Sequence, residues 1–298
     1  MRNLSKFKGF AFFLIVTAMM LSLTQCSPIA GLQKKYTSSL EQGDYQAALD
    51  YAEALMAEQG KDNKDVPAET YLMAGKSALK LKQTDKALKN LALAYSLGSS
   101  DAEMLSDLAL IYKQKGEMSK EMRVLNDLMK QTDSEYAKAL NERYFMINVE
   151  AELYDKADTL WQTQTPAFKE SKEGLTAYLM ICYKLRKSNE VSATAKKLVK
   201  LDPTNYLARR TLAIDVYYIA DDHYKKAMAT YNKNKTRRNY AILLKELIKS
   251  GKNYRYALSK LKAVYKIQKE KHLALYISNV YARLNDKKMM AYYKRLSK

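Results

Sequence analysis

Small residues recur at nearly fixed spacing along this chain, and that recurrence constrains the fold more than any single motif does. The sites are Ala48, Ala87, Glu121, Ala157, Val191, Ala227, Ala257 and Met290, separated by 39, 34, 36, 34, 36, 30 and 33 residues. Around them apolar residues fall at three- and four-residue intervals, the period of a half-buried helix, without the sustained alternation of a strand. Tyr71, Ala74, Gly75 and Ala78 share one helix face, and Ala87, Leu91 and Ala94 share the next, joined by Lys82 to Asp85. A step of 34 gives Leu105, Leu108, Ala109 and Tyr112, a turn at Gly116, then Glu121, Leu125 and Leu128. Leu175, Tyr178, Leu179 and Cys182, followed by Val191, Ala195 and Leu198, form a later copy. A small residue lets two helix backbones approach closely, and larger residues four and seven positions on fill the space against the next pair. One such pair cannot bury its own apolar face, so neighbours must stack in a line.

These segments resemble the tetratricopeptide repeat (TPR), a 34-residue pair of antiparallel helices. The resemblance implies an all-α, right-handed α-α superhelical solenoid of about seven to eight helix pairs across residues 36–298. Ala48, Gly75, Ala78, Ala87, Ala94, Ala109, Ala157, Ala227 and Ala257 are its repeat-packing residues, and the first helix of each pair is expected to line the concave side. Gly43, Gly116 and Gly251 are expected at turns within pairs, and Pro67, Pro166 and Pro203 between pairs. Three places depart from the pattern: Glu121 and Met290 stand where a small residue is usual, and Tyr136 to Trp161 lacks small residues on its first helix.

The amino-terminal segment carries an address. Arg2, Lys6 and Lys8 precede an apolar run from Gly9 to Leu23, shorter than the roughly 20 residues of a membrane span and matching a secretory signal. Leu23-Thr24-Gln25-Cys26 resembles the lipobox of bacterial lipoproteins, although Gln25 replaces the usual small residue. That resemblance implies a signal peptide over 1–25, acylation of Cys26, and a lipidated tether over 26–35. Ser27, rather than an aspartate, follows the cysteine, which implies the outer membrane, facing the periplasm. With Cys26 acylated, Cys182 is the sole remaining thiol; no internal disulfide can form, and its apolar helical setting predicts a buried core residue.

Charge is segregated along the chain. From Cys26 to Tyr231 there are 29 basic and 29 acidic residues, whereas from Asn232 to Lys298 there are 19 basic residues against Glu246, Glu270 and Asp286. A basic end of this kind suggests an anionic partner, whether lipid headgroups, an acidic envelope polymer or an acidic protein, with Lys260, Lys262, Lys266, Lys269, Lys287 and Lys288 as candidate contacts. A basic face serving solubility alone remains the competing reading. Interleaved tyrosines at helical spacing read as packing residues, and export argues against nucleic acid.

No reaction centre is legible. Gly75-Lys76-Ser77 lacks the earlier glycine and the preceding strand of a phosphate loop. His223 and His272 stand 49 residues apart, outside any metal-ligand spacing. Asp221-Asp222-His223 reads as a turn within one pair. The sequence thus predicts a non-enzymatic chain without cofactor or metal: a lipid-anchored scaffold binding envelope proteins. A receptor for glycans or other nutrients is the alternative.

Overall fold

A computed structural model describes residues 28–61 and 64–298. The signal segment, Cys26 and the first two residues assigned to the tether therefore lie outside the described residues. The described chain is all-α, with sixteen helices and no strand. It divides into two compact units, 1–144 and 145–298.

The first unit holds α1 (Pro28–Glu41), α2 (Tyr45–Gln59), α3 (Ala68–Lys80), α4 (Thr84–Ser96), α5 (Ala102–Lys115), α6 (Met118–Leu128) and the short α7 (Glu135–Ala139). Helix α8 (Asn141–Glu150) contains the boundary. The second unit continues with α9 (Tyr154–Gln162), the short α10 (Pro166–Lys169), α11 (Lys172–Lys184), α12 (Ser188–Leu201), α13 (Tyr206–Lys233), α14 (Arg237–Ile267), α15 (Lys271–Arg283) and α16 (Lys287–Leu296). Sequential helices pack as pairs: α1 with α2, α3 with α4, α5 with α6, α11 with α12, α13 with α14, and α15 with α16. Helices α8 and α9 make the remaining pair, joined through Phe145, Ala157 and Trp161. Because α1 already begins at Pro28, residues 28–35, assigned to the tether, belong to the first helix pair.

The turns confirm the repeat frame in backbone terms. Five residues before the sites at 48, 87, 121, 157, 191 and 290 stand Gly43, Lys82, Gly116, Glu152, Arg186 and Asn285, and all six have positive φ, between 57° and 72°. After each, the next backbone N–H reaches back five residues at 2.9 Å: Asp44 to Ser39, Gln83 to Ala78, Glu117 to Tyr112, Leu153 to Asn148, Lys187 to Cys182 and Asp286 to Tyr281. A left-handed residue with this 6→1 bond caps the orphan carbonyls of the first helix and reverses the chain. Glu121 and Met290 are therefore in register despite their size.

At Glu121 the packing explains the departure. The side chain is buried and receives two bonds from Arg143, Nε to Oε1 at 2.5 Å and Nη2 to Oε2 at 2.8 Å. A bidentate guanidinium replaces close helix contact. In the Tyr136 to Trp161 segment, aromatic rings take the place of small residues. Phe145 lies 5.6 Å from Trp161 and 5.7 Å from Phe168, while Trp161 stacks on Tyr178 at 4.3 Å.

Two expected turns are absent. Frame positions Asp222 and Lys252 lie inside α13 and α14, helices of 28 and 31 residues. Asp221-Asp222-His223 and Gly251 are thus helical, not turns, and one helical pair replaces two. Ala227, taken as a repeat-packing residue, is only half-buried, whereas Ala48, Ala78, Ala87, Ala94, Ala157 and Ala257 are fully enclosed and Ala109 nearly so. Leaving out the 31 residues 222–252 shortens the step from Val191 to Ala257 from 66 to 35, the normal repeat length. The second unit therefore holds one repeat, with a first helix over 206–221 and a second over 253–267, carrying a helical arm between its two halves. Seven pairs, not eight, are present among the described residues.

Helix continuity through Gly251 has a measurable consequence. A Cβ there meets only Arg255 Nη1, at 3.8 Å. Gly251→Ala is expected to raise stability by about 0.5–1 kcal/mol, the helix-interior difference between the two residues. A drop in the denaturation midpoint would instead restore the turn.

Candidate partner-binding surface

In the second unit the first helices of consecutive pairs adjoin one another, α11 with α13 and α13 with α15. In the second unit, α8 and α11 enclose an open cleft of about 540 Å³. Its walls are mostly apolar, with Met146, Val149, Ala177 and Met180, while Thr176 and Asn205 add polar edges. Asn205 also caps α13, its side chain accepting from the Ala208 N–H at 3.0 Å. An apolar wall with a few fixed polar groups is the usual makeup of a binding cleft.

A second cleft of about 460 Å³ opens among α12, α13 and α14. Leu212, Val216 and Ile219 provide apolar surface, and Lys196, Arg209 and Lys260 provide charge. Asp215 lines it too, and its Oδ2 is buried without a hydrogen-bond partner among the described residues.

In the first unit the corresponding helix face is charged. Lys76 on α3 pairs with Asp101 at 3.1 Å and with Glu103 at 2.7 Å. Asp107, on the same helix as Glu103, has no ion pair among the described residues. Burial, reinforced by the Glu103 charge, pushes its carboxyl up to about 6. The folded chain therefore holds a proton on Asp107 between about pH 4 and 6 that the unfolded chain releases, so this residue opposes folding at pH 7 and ceases to below about pH 4. Asp107→Asn should raise the melting temperature at pH 7 and leave it unchanged at pH 4. Equal shifts at both pH values would show that the charge is not the cause.

Of the six basic candidates, Lys260 and Lys262 meet different surroundings. Lys260, Lys266, Lys269, Lys287 and Lys288 are exposed and Lys262 is half-buried; none forms an ion pair among the described residues. Lys260 lies over the Tyr256 ring at 5.1 Å and borders the α12–α14 cleft. Lys262, two residues on and about 200° around the helix, acts instead on Tyr293. Tyrosines divide similarly: Tyr254, Tyr276, Tyr281 and Tyr293 are buried, whereas Tyr240, Tyr256 and Tyr292 are exposed.

The remaining candidates are built into the packing. Cys182 is fully buried, and burial pushes its thiol up to about 11. His223 contacts Glu246 at 2.6 Å and Ser250 at 3.3 Å, bridging α13 and α14. His272 meets the Tyr276 hydroxyl at 3.1 Å. Asp221 is nearly buried; despite that burial, bonds from Lys225, Tyr254 and Arg283 hold its carboxyl below the usual range. Among the described residues no group of three His, Cys, Asp or Glu is placed to hold a metal ion, and no helix is long and apolar enough to cross a membrane.

The sequence signal missed the clefts because their walls come from different pairs. Met146, Met180 and Asn205 are individually unremarkable, and only stacking brings them together.

No protein-family model and no curated protein sequence matches the chain. Among solved structures, a tetratricopeptide repeat protein from Parabacteroides merdae is 14% identical, with 90% of this chain and 91% of that one covered, at a TM-score of 0.39. The C-terminal part of a TPR repeat-containing protein from Cytophaga hutchinsonii is 14% identical over 89% and 93%, at 0.40. YrrB, described as a TPR protein with an unusual peptide-binding site, is 11% identical over 64% and 94%, at 0.43. On its own geometry the chain is an all-α array of consecutive tetratricopeptide-like helix pairs.

Proposed function

We propose that this chain is a non-enzymatic scaffold that holds a segment of a partner protein against its first-helix face, and that an acylated Cys26 tethers it in the bacterial envelope. The observation supporting the first part is the α8–α11 cleft. Its apolar floor suits the side chains of an extended or helical segment, and Thr176 and Asn205 are placed to meet polar groups along it. The anchor rests on the charged start, the apolar run and the lipobox-like Leu23 to Cys26. An envelope protein is the partner class that such an anchor brings within reach.

Site-specific photo-cross-linking in cells tests the scaffold. Photoreactive residues at Met146 and Met180 should capture one common partner in stoichiometric amounts, and a residue at Leu110, exposed in the first unit, should not. Failure to trap any protein from either cleft position, together with thermal stabilisation by a glycan, would replace the scaffold with the receptor reading. Separately, Cys26→Ser should abolish incorporation of labelled palmitate and release the chain from membranes.

A further inference from the structure

The helical arm over 222–252 carries a surface that a first-helix cleft leaves unused. Along one flank of α14, Tyr240, Leu244 and Ile248 follow one another at intervals of four, a continuous line along a helix. They are 50%, 45% and 66% exposed. Leu243, Ser250 and Tyr254 turn inward and are buried; Tyr240 keeps one ring contact with α13, to Tyr231 at 5.8 Å, and Leu244 and Ile248 lie progressively farther round the helix from that contact. Arg237, Arg238, Lys245, Lys249, Lys252 and Arg255 flank it, all exposed.

No acid balances these cations on that side. Between Asp222 and Arg255 there are ten basic residues and two acidic ones. Asp222 is paired with Lys226 at 2.7 Å, and Glu246 with His223 at 2.6 Å. Beyond Lys225, which pairs with Asp221 at 2.7 Å, the arm's side-chain hydrogen bonds, ion pairs and ring contacts among the described residues are internal to it, as in Tyr231 against Tyr240 at 5.8 Å. Toward its base, by contrast, α15 grips α13 through Arg283, which lies over the Tyr224 ring at 4.2 Å and bonds Asp221 at 3.1 Å.

The surface is the convex outside of one helix. The cleft beside it, lined by Ala227, Tyr231, Ile242 and Leu243, holds about 80 Å³, against the roughly 300 Å³ or more of ligand pockets. A partner helix finds no groove there, whereas a soft, flat, anionic surface meets every feature. Apolar side chains can enter the boundary below headgroups, tyrosine favours that depth, and long basic side chains reach back to phosphate.

We propose that the arm lays this exposed flank of α14 on an anionic phospholipid bilayer, with Tyr240, Leu244 and Ile248 entering the acyl boundary and the flanking lysines and arginines meeting the headgroup phosphates. This docking depends neither on partner capture in the α8–α11 cleft nor on acylation of Cys26. It also differs from a diffuse basic end, because it is confined to one face of one arm.

The test uses the full chain carrying Tyr240→Trp, with vesicles of phosphatidylglycerol mixed with phosphatidylcholine, or of phosphatidylcholine alone. Trp161 is buried and supplies a background recorded on the parent chain. With anionic vesicles, emission from position 240 should shift to the blue and be quenched by lipid brominated along its acyl chains. This readout is local, so attachment elsewhere in the chain does not produce it. Leu244→Glu with Ile248→Glu should abolish the shift and lower arm affinity by about tenfold or more, with unchanged helical circular dichroism because both positions are exposed. Lys245→Glu with Lys249→Glu should weaken the shift and its sensitivity to salt. Unshifted emission from position 240, a shift of equal size on neutral vesicles, or a shift that survives the two glutamates would overturn the proposal. So would photo-cross-linking from position 248 that traps a stoichiometric acidic protein instead of lipid.

Discussion

Replacing Arg143 with methionine is expected to lower the stability of the chain by about 3–5 kcal/mol, the cost of leaving a buried carboxylate without its partner. Glu121 is only 2% exposed and sits at the position where most of the other pairs place a small residue. Its two oxygens are both taken by the Arg143 guanidinium, at 2.5 and 2.8 Å. Methionine keeps the length and apolar character of the arginine stem, so the loss reports the charge rather than a cavity. The decisive control is Glu121→Ala combined with Arg143→Met, which removes both charges and restores the small residue used at most other sites. That double variant should recover most of the stability, because a buried ion pair replaced by apolar residues is often neutral. Denaturant titrations of the four chains give the coupling directly. If the double variant is as unstable as Arg143→Met alone, the pair is not what holds α6 against α8.

Gly75→Ala is expected to cost about 1–3 kcal/mol, the range for forcing an extra methyl into a close-packed core. Alanine is ordinarily the better helix residue by about 1 kcal/mol, so the sign itself is the test. A Cβ at this position comes within 2.3 Å of Leu91 Cδ2 and 2.6 Å of Leu91 Cγ, and 3.2 Å from the Leu91 backbone nitrogen. Turning the leucine end aside does not clear Cγ, and Leu91 is fully buried with no room to retreat. Helix α3 must therefore lift from α4. Combining Gly75→Ala with Leu91→Val should cost less than the two changes added together, since each relieves the other. The same substitution at Gly251 is expected to stabilise, and the opposite signs at the two glycines separate a helix–helix contact from an open helix face.

Much of this architecture was legible because repetition averages out local ambiguity. Six of eight sites placed by spacing alone have a left-handed residue five positions earlier, including Glu121 and Met290, whose side chains argue against the frame. The buried alanines and Cys182 were likewise readable, since each lies on the apolar side of a 3.6-residue period. Apart from residues 28–35, read as tether but helical, the misreadings cluster around the arm. Asp221 to His223 has turn chemistry, and Gly251 has turn freedom, yet both are helical. The basic candidates were chosen by density along the chain, but Lys260 and Lys262 face different surroundings because a helix separates near neighbours in sequence around its axis.

By itself the sequence determined the helical period, the small contacts such as Gly75 and Ala87, the order of the pairs and the concentration of positive charge after residue 232. Tertiary structure alone decided where the chain reverses. Lys82 turns and Lys252 does not, although they are the same residue at the same frame position. A non-glycine residue in the left-handed region costs roughly 1–2 kcal/mol, a penalty of the size that packing can supply or withhold. At Lys82 the flanking Ala78, Ala87 and Leu91 are buried by reversal; at Lys252 continuation buries Tyr254 and Leu243 against α13, and the helix runs on into the arm.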